Sequence, residues 1–109
     1  MYEIKIYKTA NGKEPYTEWI KDLDRLVRSK INARIARIRD SGNFGDCKHF
    51  DRIIELRIDF GPGYRVYCGL EENTLLILLL GGDKNQQQKD ISKAKEYWEN
   101  HLSSKKAKK

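Results

Sequence analysis

IIELRIDFGPGYRVYCGLEENTLLILLLGGDK, running from Ile53 to Lys84, is the stretch on which the fold turns. Ile54, Leu56 and Ile58 alternate with Glu55, Arg57 and Asp59, the period of a half-buried strand with its charges on one face. Gly61-Pro62-Gly63 supplies a turn, since proline presets its own φ and glycine accepts the positive φ of a type II turn. A second strand follows over Tyr64 to Leu70. The third, Leu75 to Leu80, is an unbroken apolar run that must be covered on both faces. Three antiparallel strands in succession put Arg57 beside Arg65 or Tyr67 on one surface.

Upstream, Tyr2, Ile4 and Ile6 alternate with Glu3, Lys5 and Tyr7 in a first strand that ends near Thr9, and Asn11-Gly12 makes the turn. Pro15 opens a short helix with Tyr16, Trp19, Ile20 and Leu23 at helical spacing. Leu23, Val27, Ile31, Ile35 and Ile38 form the apolar stripe of a longer helix to about Asp40, stopped by Ser41-Gly42-Asn43. Phe44 to Asp51 reads as an irregular connection pinned to the core by Phe44 and Phe50. Downstream, Ile91, Ala94, Trp98 and Leu102 mark the inner stripe of a final helix from about Gln86 to Leu102. The order strand, helix, helix, strand, strand, strand, helix is α+β: a four-stranded sheet covered by helices, with Leu75–Leu80 inside and the first strand pairing with it from the other edge.

A chain of 109 residues builds one core, which we assign to residues 1–102. The formal charge of +6 includes Lys105, Lys106, Lys108 and Lys109, and removing those four leaves +2 for the body. Residues 103–109 read as a flexible lysine-rich tail, so net charge by itself does not point to a polyanion. Cys47 and Cys68 are too few for a disulfide framework and have no metal-ligand spacing around them. Neither a signal peptide nor a membrane-spanning run is legible, which makes the cytoplasm the expected location.

Charge within the body is more informative. Between Lys21 and Asp40 lie seven basic and three acidic residues, with Lys30, Arg34 and Arg37 on one stripe. That stripe is either an ordinary solvated face or a platform for phosphate or an acidic protein segment. The glycine pairs fit neither a dinucleotide nor a Walker loop, and His49 and His101 lack local metal partners and read as surface or loop residues. What remains is Arg57 on one strand, Arg65 on the next and Lys84 at the end of the third. Two guanidinium forks on adjacent strands can share one phosphate; alternatively Arg57 pairs with Glu55 or Asp59. Metal-free phosphodiester cleavage needs such cations to hold the developing charge, plus groups that move protons. Glu55, Tyr67 and His101 are the available proton carriers, and Tyr67 is also placed to stack on a base.

The words Glu55-Leu56-Arg57, Gly61-Pro62-Gly63-Tyr64-Arg65-Val66-Tyr67 and Gly82-Asp83-Lys84 through Asp90-Ile91, together with LLILLLGGDKNQQQKDISKAKEYW, resemble the toxins of type II toxin–antitoxin modules in the RelE/ParE superfamily. The similarity is to the branch of phage Gp49-like or HigB-like addiction-module killer proteins and covers residues 2 to 101. It implies a small RelE-like fold with a largely antiparallel sheet. It also implies ribosome-dependent cleavage of mRNA without metal or cofactor, with growth arrest as the outcome. On this resemblance Arg65 stabilises the transition state, Lys84 and Arg57 assist, and Glu55 and Tyr67 are the candidates for proton transfer. Lys30, Arg34 and Arg37 would add phosphate contacts. Glu55 stands where well-known ribonuclease members carry lysine, and Asn85 to Lys89 holds no tyrosine or histidine. The same fold serves a subfamily that binds DNA gyrase without cleaving anything, and an inactive antitoxin-binding protein is a third reading. The implied partners are a cognate antitoxin, commonly a small helix-turn-helix protein, and the ribosome with its mRNA; no membrane is implied.

Overall fold

In the computed structural model, which describes residues 1–107, the elements run β1 (Glu3–Ile6), α1 (Pro15–Lys21), α2 (Arg25–Ser41), β2 (Cys47–Phe50), β3 (Ile53–Ile58), β4 (Tyr64–Glu71), β5 (Leu75–Asp83), a 3₁₀ turn (Lys84–Gln86) and α3 (Gln87–Ala107). The sheet has five strands in the order β1-β5-β4-β3-β2, not four. β1 pairs parallel with β5 and every other pair is antiparallel. The additional strand is the segment read as irregular: Cys47–Phe50 pairs with Leu56–Ile53 through a tight turn in which Asp51 takes φ 58°. Its signal is faint because an edge strand needs one hydrogen-bonding neighbour and no apolar alternation, and Lys48 and His49 between Cys47 and Phe50 are exposed.

Each face of the sheet carries its own core. On one side Val27, Ile31, Ile35 and Ile38 of α2 and Tyr16 of α1 pack on Ile54, Leu56, Val66, Cys68, Leu76 and Leu78. On the other, Ala94 and Trp98 of α3 pack on Tyr7, Ile53, Tyr67, Ile77 and Leu79. Period-two alternation therefore sends the odd residues of β3 toward α3 and the even ones toward α2. This corrects the half-buried reading of that strand: both faces are covered through its centre, and Glu55 is fully buried. β5, as its unbroken apolar run requires, is buried on both sides at Leu76–Leu80. Tryptophans lie flat on glycines at two places, Trp98 over Gly69 and Trp19 over Gly81, where a Cβ would overlap the indole.

Local chemistry sets the helix ends. The Asp24 side chain accepts from the Leu26 N–H at 3.3 Å to open α2, and Gly42 closes it in the left-handed conformation with φ 76°. α3 continues past Leu102 to Ala107, so residues 103–107 are helical where a loose tail was expected; Lys108 and Lys109 lie outside the described residues. The helix is held there by Lys105 Nζ, 2.7 Å from Glu71 Oε2 and 3.1 Å from Glu72 Oε1. His101, read as a surface histidine, is half-buried, 2.6 Å from Glu71 Oε1 and stacked on Trp98. No helix among the described residues is long and apolar enough to cross a membrane.

Candidate functional site

The antiparallel register of β3 and β4 places Glu55 opposite Tyr67 and Arg57 opposite Arg65, with all four side chains on the α3 face. The centre of the group is the Glu55 carboxylate. Its Oε1 accepts from Arg57 Nε at 2.8 Å and stands 3.8 Å from Arg65 Nε. Its Oε2 accepts from Tyr67 Oη–H at 3.0 Å and from Gln87 Nε2 at 2.9 Å. Burial alone would raise the Glu55 pKa, but hydrogen bonds from Arg57, Gln87 and Tyr67 and the Arg57 charge outweigh it, and the carboxyl sits below its ordinary value. Burial and the adjacent carboxylate push the Tyr67 phenol above its ordinary range, and the hydrogen bond to Glu55 pushes Arg57 up. The group at rest is thus a carboxylate, a neutral phenol and two guanidinium ions.

Exposure sorts these residues into an inner and an outer layer. Glu55 and Tyr67 are at 0% relative exposure, whereas the side chains of Arg57 and Arg65 keep 31% and 15%. Glu55, with both oxygens engaged, acts on the outer layer by orienting it. Tyr67 offers no ring face on which a base could stack. Arg57 turns its Nε inward to Glu55 and thereby leaves the far end of the guanidinium to solvent.

Lys84 joins the outer layer through the glycine-proline turn. Its backbone N–H donates to the Gly63 carbonyl at 3.1 Å. A Cβ built on Gly63, whose φ is 89°, would lie 3.4 Å from Lys84 Cδ and 3.8 Å from Arg65 Nη1. The Lys84 stem and the Arg65 guanidinium thus both lie within ordinary contact distance of that position. Arg57 and Arg65 stand opposite each other on β3 and β4, and Lys84, just after β5, lies beside the turn that leads into β4.

The remaining predicted phosphate contacts are elsewhere. Lys30, Arg34 and Arg37 lie on α2, behind the opposite face of the sheet, around a groove of about 400 Å³ that Asp59 and Phe60 also line. Arg34 spends its donors on backbone carbonyls: Nε to Phe44 O at 2.8 Å, Nη1 to Arg57 O at 2.7 Å and Nη2 to Asp46 O. It ties α2 to the start of β2 and the end of β3. Arg37 is exposed, and Lys30 is exposed with its ammonium 5.4 Å from the Phe60 ring centre.

Two residues of the site were not picked out by sequence. Gln87 is the middle one of three consecutive glutamines, and only the start of α3 decides which of them faces Glu55; Gln86 and Gln88 are exposed. Asp90, one turn further, is buried with Oδ2 unpartnered and pressed onto Gly82, where no Cβ would fit. Burial raises its pKa and the nearby Asp83 adds to the rise. No cluster of three or more His, Cys, Asp or Glu side chains able to hold a metal ion occurs among the described residues.

Comparison with known proteins gives this arrangement a context. One chain of the crystal structure of the intact E. coli RelBE toxin–antitoxin complex superposes with a TM-score of 0.58 at 12% identity, covering 76% of this chain and 96% of that one. The architecture is accordingly RelE-like. A protein of Haemophilus influenzae described as uncharacterized is 52% identical over 82 residues, 73% of this chain and 82% of its own length. Residues 18–99, which include every member of the Glu55 group, all of α2 and the first part of α3, match the family described as "Phage derived protein Gp49-like (DUF891)", and the chain belongs to that family.

Proposed function

We propose that this protein is the toxin of a type II toxin–antitoxin module, of the HigB-like kind, and that it cleaves mRNA on the ribosome without a metal ion. The observation that supports the reading is the register that sets Arg57 opposite Arg65 on the α3 face, backed by a buried carboxylate that accepts from Arg57 Nε and lies 3.8 Å from Arg65 Nε. In cleavage by transesterification the ribose 2′-oxygen bonds to phosphorus as the phosphorus–O5′ bond breaks. A proton leaves the 2′-hydroxyl and O5′ gains one. Negative charge grows on the non-bridging oxygens, where the two arginines meet it with preorganised donors. Lys84 adds a third positive charge near the leaving side. Glu55, enclosed and hydrogen-bonded by Tyr67, orients Arg57, and at the outer face solvent water takes up the 2′-hydroxyl proton and supplies one to O5′.

An antitoxin, a small helix-turn-helix protein in the reading favoured here, would cover this face in the resting cell, and its fit to a basic surface calls for an acidic segment. The likeness of fold to a chain from a toxin–antitoxin complex supports an antitoxin partner in general terms. The cytoplasm is where ribosome, message and antitoxin would be met.

Brief induction followed by primer-extension mapping of transcript ends tests the proposal. Codon-linked cuts that vanish with Arg65→Ala, with the fold retained, are expected. Intact messages accompanied by broken chromosomes would replace it with gyrase poisoning, and no growth arrest at all would leave an antitoxin-binding protein without activity.

A further inference from the structure

The outer stripe of α2 is amphipathic in its own right. Leu26, Lys30, Ala33 and Arg37 recur every four, three and four residues, so they line one side of the helix, and all four are exposed. Leu26, at 55% exposure, is one of three large hydrophobic residues left open to solvent among the described residues. One turn further on, Lys30, Ala33 and Arg37 wall the groove of about 400 Å³, and Ile58, which ends β3, and Phe60 just beyond it supply its apolar side.

The cations of this groove lack anions. None of Lys30, Arg34 and Arg37 forms an ion pair with a carboxylate among the described residues. Arg34 and Arg37 are also crowded: a Cβ built on Gly45 would overlap both guanidinium groups, which rest together on that glycine. Burial and the neighbouring Arg37 charge hold the Arg34 guanidinium below its ordinary pKa. A carboxylate brought to this place relieves the repulsion.

An RNA backbone is a poor match for the groove. Arg34 has already given Nε, Nη1 and Nη2 to backbone carbonyls, and Asp59 adds a negative charge to the lining. The Lys30 ammonium lies over the Phe60 ring, where a base would have to stack. A second copy of this chain fits no better, because the stripe holds no acid and would set its own cations against one another. A facing helix with apolar residues against Leu26, Ala33 and Phe60 does fit, provided it brings carboxylates to Lys30 and Arg37, about 10 Å apart along the axis.

We infer that the α2 stripe of Leu26, Lys30, Ala33 and Arg37, with Phe60 beside it, is a docking surface for an acidic amphipathic helix of a partner protein. It lies behind the opposite face of the sheet from Glu55, and it does not depend on the chemistry read at Arg57 and Arg65.

The test titrates three probes into the isotope-labelled full chain and follows backbone amide shifts by NMR. They are a peptide of three Leu-Glu-Glu-Leu-Leu-Glu-Glu repeats, poly-L-glutamate of equal length, and an oligoadenylate decamer. The peptide should shift Leu26, Lys30, Ala33, Arg37 and Phe60, and bind about tenfold more tightly than polyglutamate, which carries the charge without the leucines. Lys30→Glu combined with Arg37→Glu should weaken the peptide by about tenfold or more, and Leu26→Gln by about fivefold. All three positions are exposed, and circular dichroism should report an unchanged fold. No binding, shifts confined to other residues, or an affinity indifferent to the charge reversal overturns the inference. So does polyglutamate binding as tightly as the peptide, since the stripe is then a patch of charge and nothing more. Oligoadenylate shifting the same α2 amides, with those shifts lost on charge reversal, overturns it in favour of a phosphate-contact surface.

Discussion

Tyr67 and Glu55, directly opposite each other on β4 and β3, are joined by a 3.0 Å hydrogen bond from the phenol to Oε2, with both side chains wholly out of solvent. A buried carboxylate is stable there because each of its oxygens is met by a donor, and because a guanidinium group neutralises it from the solvent side. Arg57 in turn is aimed by its 2.8 Å hydrogen bond to that carboxylate, while Arg65 lies 3.8 Å from it and reaches the Tyr64 carbonyl with Nη1.

Removing the charge should therefore disturb the arginines as well as the core. Glu55→Gln leaves Arg57 and Arg65 without their counter-ion, and the new amide brings donors toward donors. Urea unfolding is expected to show a loss of about 2–4 kcal/mol, the lower part of that range reflecting the partial hydration of Arg57. Affinity for inorganic phosphate should change as well, since both guanidinium groups become free to reorient.

Tyr67→Phe is a milder change, deleting one of two donors to Oε2 without opening a cavity. We expect a loss of about 1–2 kcal/mol in the same experiment, with the fold intact by circular dichroism. RNA cleavage in induced cells should fall far less than with Arg65→Ala, because the phenol does not reach the outer face.

Arg34 makes a second structural prediction, on the opposite side of the sheet. Its three carbonyl contacts join α2, β2 and β3, so Arg34→Ala should lower stability by about 2–4 kcal/mol. Arg34→Lys should recover little of it, because a single ammonium cannot span three carbonyls in one plane. Arg37→Ala and Lys30→Ala should stay within about 0.5 kcal/mol of the wild type, and whether they lower RNA binding decides if the α2 groove carries phosphate contacts.

Glu55 and Asp90 contribute to the pH dependence of stability in opposite directions. The folded-state pKa of Glu55 is depressed, so its contribution is complete above the unfolded carboxylate value and is lost as pH falls through the folded one. The folded-state pKa of Asp90 is raised by burial, so its charged form costs stability at neutral pH and the cost fades on acidification. Thermal melts should accordingly show Asp90→Asn gaining on the wild type at pH 7, with the gap narrowing as pH falls through the raised folded-state value and closed by about pH 4. Glu55→Gln should flatten the acid limb of the same curve.

Much of this protein follows from local pattern. The alternation in Ile53–Ile58, the turn at Gly61–Gly63, the apolar run of β5 and the four-residue spacing along α2 were readable because each element buries a periodic face and ends at residues with special backbone preferences. That Arg57 and Arg65 face each other across neighbouring strands was readable from the strand order and the turn between them. The edge strand Cys47–Phe50 could not, since it repeats no apolar period and is defined only by the hydrogen bonds it makes to β3.

The division of labour among the charged residues came entirely from tertiary packing. In sequence Glu55 and Arg57 are equal members of a polar row, and Arg34 looks like Lys30 and Arg37. α3 covers Glu55 from one side and brings Gln87 to it, converting a surface acid into a buried anchor. On the far side the segment leading into β2 and the end of β3 present carbonyls to Arg34, making a surface base into a clasp. Local sequence determined which residues share a face. Which of them is desolvated, and so forced to find partners, depended on elements more than ten residues away, because burial is a property of the assembled layers and charge is expensive only where water has been excluded.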